Sequence, residues 1–412
     1  MTKKIFTLQL PVKLVELAKE HFHTENASFA IKSSIEFAFL HCYSELQSNT
    51  LSIYHLLNVE ERKTPAPYSV RLDEDALNAL RVATSRPISD AVKHAIVCTL
   101  SAQTLPTPKP SKLINILGSK WDKRMQSAIK QVFDTANKSW EKTIETCAGA
   151  LGIHANFPLA DDEIINDDDV EKINLFQCIQ QKPFEFKDQA LSFECTEKAF
   201  ENLKDEKPNT QKIPDVNRAV HFFLLNFFSY RNTGHTFNEK KSKQALVARL
   251  DSVAFLSERL KHVKITNNDI FSVIKKHKKE KNTLFIVDPI YLDTNVYKSR
   301  TLGTKTEHGV EFGWNEHQRL AKELRSIKGD FIYFCRITAT RHKNLKNKLV
   351  DSPESIRERD IEMKGRIDDL YWNHGFHYID VPLDNGTVER IITSFPFKGS
   401  TPYNQPPKKE VW

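Results

Sequence analysis

The chain is poor in glycine, with 12 in 412 residues. Nucleotide-binding loops consume glycine, so little of the chain can serve as a glycine-rich phosphate cradle. Cysteine is also sparse, at positions 42, 98, 147, 178, 195 and 335. No two have C-x-x-C spacing and none sits in a Cys/His cluster. That excludes a zinc ribbon and a disulfide framework, leaves no metal site to expect, and reads as reduced, mostly buried thiols in a cytoplasmic protein. The histidines at 21, 23, 374 and 377 lack Cys or Asp partners at ligand spacing. No apolar run reaches about 18 residues, so no membrane span is expected. The opening MTKKIFTLQLPVK has only a short, alternating apolar run, unlike a signal peptide. What is present is a net charge of +7 and an isoelectric point near 8.9, which lean towards an anionic partner. The length suggests two or three domains.

The first hundred residues contain a repeat. Residues 5–10 alternate, with Phe6, Leu8 and Leu10 on one face, as in a half-buried strand. Leu14, Leu17 and Ala18 follow at helical spacing, and a second helix is expected from Ser28. Tyr68, Val70 and Leu72 alternate likewise, Leu77 and Leu80 continue as a helix, and another helix is expected from Ser89. Ser28-Phe29-Ala30-Ile31-Lys32 aligns with Ser89-Asp90-Ala91-Val92-Lys93, each serine standing where an N-cap belongs. A strand followed by two helices, twice over, resembles the ribbon-helix-helix DNA-binding fold, in which two strands pair into an antiparallel ribbon that enters the major groove. That family ordinarily dimerises. Two copies in one chain can form the ribbon internally, and a homodimer is the other assembly left open. The resemblance implies that Thr7, Gln9, Ser69 and Arg71 face base edges and that the helix ends at Ser28 and Ser89 sit against phosphates. A small helical oligomerisation domain with two edge strands is the alternative. TLPTPKPS at 104–111 marks a boundary, so residues 1–105 are read as one domain.

TLFIVDPIY at 283–291 is the most informative stretch of the remainder. Leu284 to Val287 reads as a buried central strand. At its end, Asp288, Pro289, Ile290 and Tyr291 suit a flat nitrogen heterocycle: a carboxylate and a backbone carbonyl accept from an amino group while a ring stacks. Upstream, Lys120 follows Gly118-Ser119. A strand over 139–145 ends at Glu145 and runs into Thr146-Cys147-Ala148-Gly149-Ala150-Leu151-Gly152, and a strand over 163–165 ends in Asn166-Asp167-Asp168-Asp169. A glycine turn followed by an acidic strand end is the nucleoside site of doubly wound sheets, the acid taking ribose hydroxyls. The triple aspartate alone also reads as a solvated turn. Strands over 263–265, 331–335, 377–381 and 390–397 would complete a seven-stranded sheet.

Taken in order, these pieces resemble the D12 class of Dam-like adenine-N6 DNA methyltransferases, in which Gly-Gly-Lys, Glu-Pro-Phe-x-Gly-x-Gly, an acidic strand end, a helical insert and Asp-Pro-Pro-Tyr follow one another. The resemblance covers about residues 110–397. It implies an α/β fold with a Rossmann-like methyltransferase sheet over 106–400 and a target-recognition insert at about 181–244, where Arg231 would touch DNA. The small α+β ribbon-helix-helix-like domain precedes it, and a flexible tail spans 401–412. S-adenosylmethionine would lie near Lys120, Glu145, Ala148, Gly149, Asp167 and Asp269. A flipped adenine would be held by Asp288 and the Pro289 carbonyl and would stack on Tyr291. Tyr297, Phe312 and His317 match the family's spacing in outline. The pattern departs from the family at Cys147, where a phenylalanine is expected, and at Leu151, where the second glycine is expected, with Gly152 able to compensate by a one-residue slip. Ile290 replaces the second proline. Two functions follow: a divergent, active adenine-N6 DNA methyltransferase, or a catalytically inactive, methyltransferase-like transcriptional regulator. Double-stranded DNA is the partner in both. RNA suits the ribbon poorly, since A-form helices hide the major groove.

Overall fold

The computed structural model describes residues 3–22, 24, 26–43, 65–101, 112–114, 120–157, 159–206, 213–232, 234–292, 312–339 and 351–404. The boundary at 104–111, Gly118, Ser119, Tyr297 and positions 405–412 lie outside the described residues, as do the side chains of Arg71 and Arg231. The chain divides into two units. One holds Met1–Leu113, Cys178–Leu224 and Asn238–Glu258; the other holds Ile114–Gln177, Leu225–Phe237 and Arg259–Trp412.

In the first unit, β1 (Lys3–Pro11) and β2 (Pro65–Asp73) pair antiparallel, with Thr7 opposite Ser69. Alternation sets the two faces: Leu8, Leu10 and Val70 are buried, whereas Ile5, Thr7, Gln9 and Ser69 are exposed. Each strand leads into two helices, Val12–His21 and Ala27–His41 after β1, Glu74–Thr84 and Ile88–Ser101 after β2. The second helices of the two copies pack together, and Thr99 Oγ1 donates to the Ser34 carbonyl at 2.8 Å. The expected serine caps are displaced. Asn26 caps the helix Ala27–His41 by accepting from Phe29 N at 3.0 Å, leaving Ser28 inside the first turn. Ile88–Ser101 begins after Pro87, whose carbonyl takes Ala91 N at 2.8 Å, so Ser89 is likewise inside the helix. An asparagine two residues upstream and a ring-fixed proline φ each start the helix earlier than serine could.

The insert helices Pro183–Ser192, Glu197–Asp205 and Lys243–Leu250 belong to this same unit. Lys187, with a fully buried side chain, donates to the Leu40 carbonyl at 2.8 Å and pairs with Asp251 at 3.3 Å. Phe39 and Phe184 meet edge to face, with ring centroids 5.1 Å apart. Residues 225–237 of the expected insert, including the short turn Tyr230–Asn232, fall in the other unit.

The second unit is built on a mostly parallel sheet of eight strands. They are β3 (Lys142–Glu145), β4 (Asp162–Asn166), β5 (Lys264–Thr266), β6 (Thr283–Val287), β7 (Asp330–Arg336), β8 (His377–Pro382), β9 (Val388–Thr393) and β10 (Thr401–Pro402). Their order is β10-β8-β9-β7-β6-β3-β4-β5. The five strands from β7 to β5 are parallel, and β9 runs antiparallel between β7 and β8. Successive residues of β6 point to opposite faces, and both faces are covered, so the strand has to be apolar throughout. Leu284 and Ile286 pack on Met125, Ile129 and Val132 of the helix Lys123–Thr135. Phe285 and Val287 face Ile274 of Ile270–His277, Leu320 and Leu324 of Trp314–Leu324, and Ile367 of Pro353–Tyr371.

Residues 401–404, expected to begin a flexible tail, are instead held in the fold. β10 pairs with β8, and the buried Tyr403 donates to Asp368 Oδ1 at 2.9 Å. Its hydroxyl also accepts from Arg390 at 2.6 Å, and Arg390, 1 % exposed, is paired with Asp380 and Asp368 as well. A buried guanidinium needs those partners, which holds the segment in place. No helix among the described residues is long and apolar enough to cross a membrane.

Candidate active site

The chain runs outward from β3 through β4 to β5, then returns to lay β6 on the other side of β3 and continues to β7. In open α/β sheets the place where the strand order reverses, at the carboxyl ends of the strands, is the usual ligand site. β3 delivers Glu145 to this point and β6 delivers Asp288. Thr146 fastens the two strand ends, its N–H donating to the Ile286 carbonyl at 2.9 Å.

The turn after β3 is tied to the end of β4. Ala148 N donates to the Asn166 carbonyl at 2.7 Å, and Gly149 N donates to Asp167 Oδ2 at 2.9 Å. Asp167 also takes Lys172 Nζ and Asp169 N. Asn166 reaches towards the end of β5, donating to the Asn268 carbonyl at 2.8 Å and to the Thr146 carbonyl at 3.0 Å. Asp269 is exposed and caps the helix Ile270–His277, accepting from Phe271 N and Ser272 N at 3.0 Å. Lys120, Glu145, Ala148, Gly149, Asp167 and Asp288 therefore meet at the carboxyl end of the sheet, and Asp269 follows β5 at that same end, its carboxylate capping a helix.

Leu151 departs from the family pattern, yet the backbone there is glycine-like. Its φ is +57°, in the left-handed region that costs a leucine about 1–2 kcal/mol. Its side chain is 1 % exposed, and full burial of a leucine returns roughly 2 kcal/mol. Gly152 does not take over the left-handed role. A Cβ on Gly152 would stand 2.9 Å from the Lys120 carbonyl carbon and 3.0 Å from its nitrogen. Gly152 thus lets the Lys120 backbone lie against the turn. Gln126 Nε2 clamps the same pair, donating to the carbonyls of Lys120 and Gly152. Gly152→Ala should push Lys120 off its position and destabilise the unit by about 1–3 kcal/mol, measured by thermal unfolding. An unchanged melting profile would show that the close approach is unimportant.

Lys120 closes on Asp288. Its ammonium, 3 % exposed, donates to both Asp288 oxygens, at 2.7 and 2.8 Å, and to Tyr291 Oη at 2.6 Å. Tyr291 donates onward to Glu389 Oε2 at 2.8 Å. The Tyr291 ring is 8 % exposed and packs in the apolar core, so the face expected to stack on a base is covered in this arrangement. Pro289 is buried and Ile290 half-buried. Burial pushes the Asp288 carboxyl up to about 6, with the Lys120 ammonium pulling against it. Burial, helped by the charge of Asp288, holds Glu145 well above the usual carboxylate range. Glu145 Oε2 is buried and has no hydrogen-bond partner among the described residues. His317 lies behind residues 288–291, its Nδ1 3.2 Å from Tyr333 Oη, and burial lowers it to about 4, which keeps the imidazole neutral.

Three contributors escaped the sequence reading: Glu389, Gln126 and the structural use of Gly152. Glu389 had one signal, an acid beside Arg390 in an otherwise apolar strand segment, VERIIT. Gln126 had none, since a glutamine on a helix reads as surface. No known family model matches this sequence, and no curated protein matches it.

Proposed function

We propose that this chain is a DNA-binding protein carrying a divergent, S-adenosylmethionine-dependent adenine-N6 DNA methyltransferase domain. The observation that carries the reading is the convergence of Glu145, Gly149, Asp167 and Asp288 at the switch point of a parallel sheet. The residues suit the cofactor: Glu145 offers a buried oxygen without a partner among the described residues, the turn at Gly149 and Leu151 has glycine-like backbone, and Asp167 stands where a ribose acid is expected. Glu145, Gly149, Asp167 and Lys120 would hold it. Bound there, it would supply a methyl group made electrophilic by a positively charged sulfur.

The chain's own task is to present the acceptor nitrogen. Asp288 would accept one hydrogen of the adenine amino group and the Pro289 carbonyl the other, directing the nitrogen towards the methyl carbon. Orientation of this kind provides much of the acceleration. The acceptor nitrogen must lose a proton on methylation, and ionised Asp288 would take it. The antiparallel ribbon, with Thr7, Gln9 and Ser69 on its exposed face, supports a major-groove DNA contact in the same chain.

The competing reading, a catalytically inactive DNA-binding regulator, is favoured by the closure of Lys120 on Asp288 and the covered ring of Tyr291. Mass spectrometry of N6-methyladenine in DNA from methylation-deficient cells expressing the protein separates the two. Methylated adenine supports the enzyme. Its absence, with the protein folded and bound to DNA, leaves the regulator.

A pH dependence follows from Asp288. The ionised carboxylate is the stronger acceptor and the form that can take the amino proton, and its pKa in the fold is about 6. Methyl transfer should fall roughly tenfold per pH unit below about 6 and level off above it, read from initial rates between about pH 5 and pH 8. A flat profile across that range would remove Asp288 from the rate-limiting step.

A further inference from the structure

The Lys120 ammonium has three protons to donate, and its short contacts include two to Asp288 and one to the Tyr291 hydroxyl. An ammonium has no lone pair, so the Tyr291 hydroxyl accepts from Lys120 and gives its own proton to Glu389. Glu389 Oε2 lies 3.5 Å from the ammonium, near enough for attraction and at the outer limit of a hydrogen bond. The rings of Tyr291 and Phe334 flank the charge, 5.0 and 5.2 Å from it to their centroids. One buried cation is thus bonded to one carboxylate and within reach of a second. While it holds both Asp288 oxygens, an incoming amino group has to compete with the ammonium for the carboxylate.

We propose that Glu389 is the second seat of the Lys120 ammonium, so that Lys120 gates Asp288 by moving between the two carboxylates. The proposal rests on the functional reading above, in which Asp288 accepts from an amino group. In the closed arrangement Lys120 holds Asp288. In the open one it keeps the Tyr291 hydroxyl, gives up Asp288 and bonds to Glu389, a shift of about an ångström or less in the Nζ–Oε2 distance. The ammonium is never left bare during the exchange, which matters because an unpaired buried charge is strongly disfavoured. Glu389 is suited to this: it is 7 % exposed and already anchored by Tyr291. A purely structural Lys120–Asp288 pair would have no use for it.

The test is the crystal structure of the full chain with Asp288→Asn, which weakens the first seat and leaves the second intact. The ammonium is expected within about 3.0 Å of Glu389 Oε2. An ammonium still held at position 288, or turned out to solvent, overturns the gate. Asp288→Ala, which removes the first seat altogether, carries the same expectation. In solution, Glu389→Gln should lower the turnover of methyl transfer about tenfold or more, and Glu389→Asp should restore part of it. Wild-type turnover in Glu389→Gln would also overturn the proposal. If the unaltered protein transfers no methyl group, the functional reading fails, while the position of the ammonium still decides the gate.

Discussion

With Asp288 replaced by asparagine, the chain should leave DNA unmethylated and remain folded. The carboxamide keeps the size and planarity of the carboxylate but turns one acceptor into a donor, which opposes an amino group. It also removes the charge that takes the proton, a contribution that with the lost alignment amounts to about 10³-fold or more. Stability should fall less than with alanine, because the amide oxygen still accepts from Lys120. Asp288 titrates at about 6 in the fold against an ordinary 3.8, so the folded state binds its proton more tightly than the unfolded chain does. Its ionisation therefore erodes stability as pH rises through that window, and an uncharged isostere escapes the loss. Asp288→Ala is the harsher change, because it strips Lys120 of its principal partner, a loss of roughly 3–5 kcal/mol unless Glu389 takes the charge. N6-methyladenine by mass spectrometry and a melting curve on the same preparations read both effects. Methylation within about tenfold of the unaltered protein would place the chemistry elsewhere.

Lys187→Ala should be the most damaging single change in the first unit. The Lys187 side chain is fully buried, its ammonium sits on the carbonyl of Leu40 near the end of the helix Ala27–His41, and the ring of Tyr43 lies 5.5 Å from the charge. A cation at a helix C-terminus also meets the negative end of the helix dipole. Truncation leaves that carbonyl without this donor and opens a cavity where the stem packed, together about 3 kcal/mol or more. Asp251, half exposed, recovers its solvation and adds little to the loss. Hydrogen exchange should accelerate together in 27–41 and 183–192, because the N-terminal region and the insert form one unit. Faster exchange in one segment alone would mean that the two fold independently. The same packing bears on truncation: removing residues 1–105 would expose the apolar faces of the insert helices, including Phe184.

Much of this molecule was legible in local pattern. Alternation in residues 5–10 and 68–72 announced β1 and β2, and their repeat announced the pairing of two similar units, because a period of two is imposed by the strand itself. The unbroken apolar run of β6 announced a strand covered on both faces, with Asp288 at its end. Glu145 and Asp167 were likewise readable as the ends of β3 and β4. What a sequence window cannot hold is a contact between distant parts of the chain. Tertiary structure alone brought Lys120 onto Asp288, 168 residues away, and set Glu389 beside Tyr291, because ion pairs leave no periodic trace. It decided that Leu151 takes a glycine-like φ, which its buried side chain sustains, and that Gly152 serves close packing against Lys120 instead. It also joined the insert to the N-terminal helices through Lys187, a residue that reads as surface lysine until the carbonyl of Leu40 and the carboxylate of Asp251 close around it.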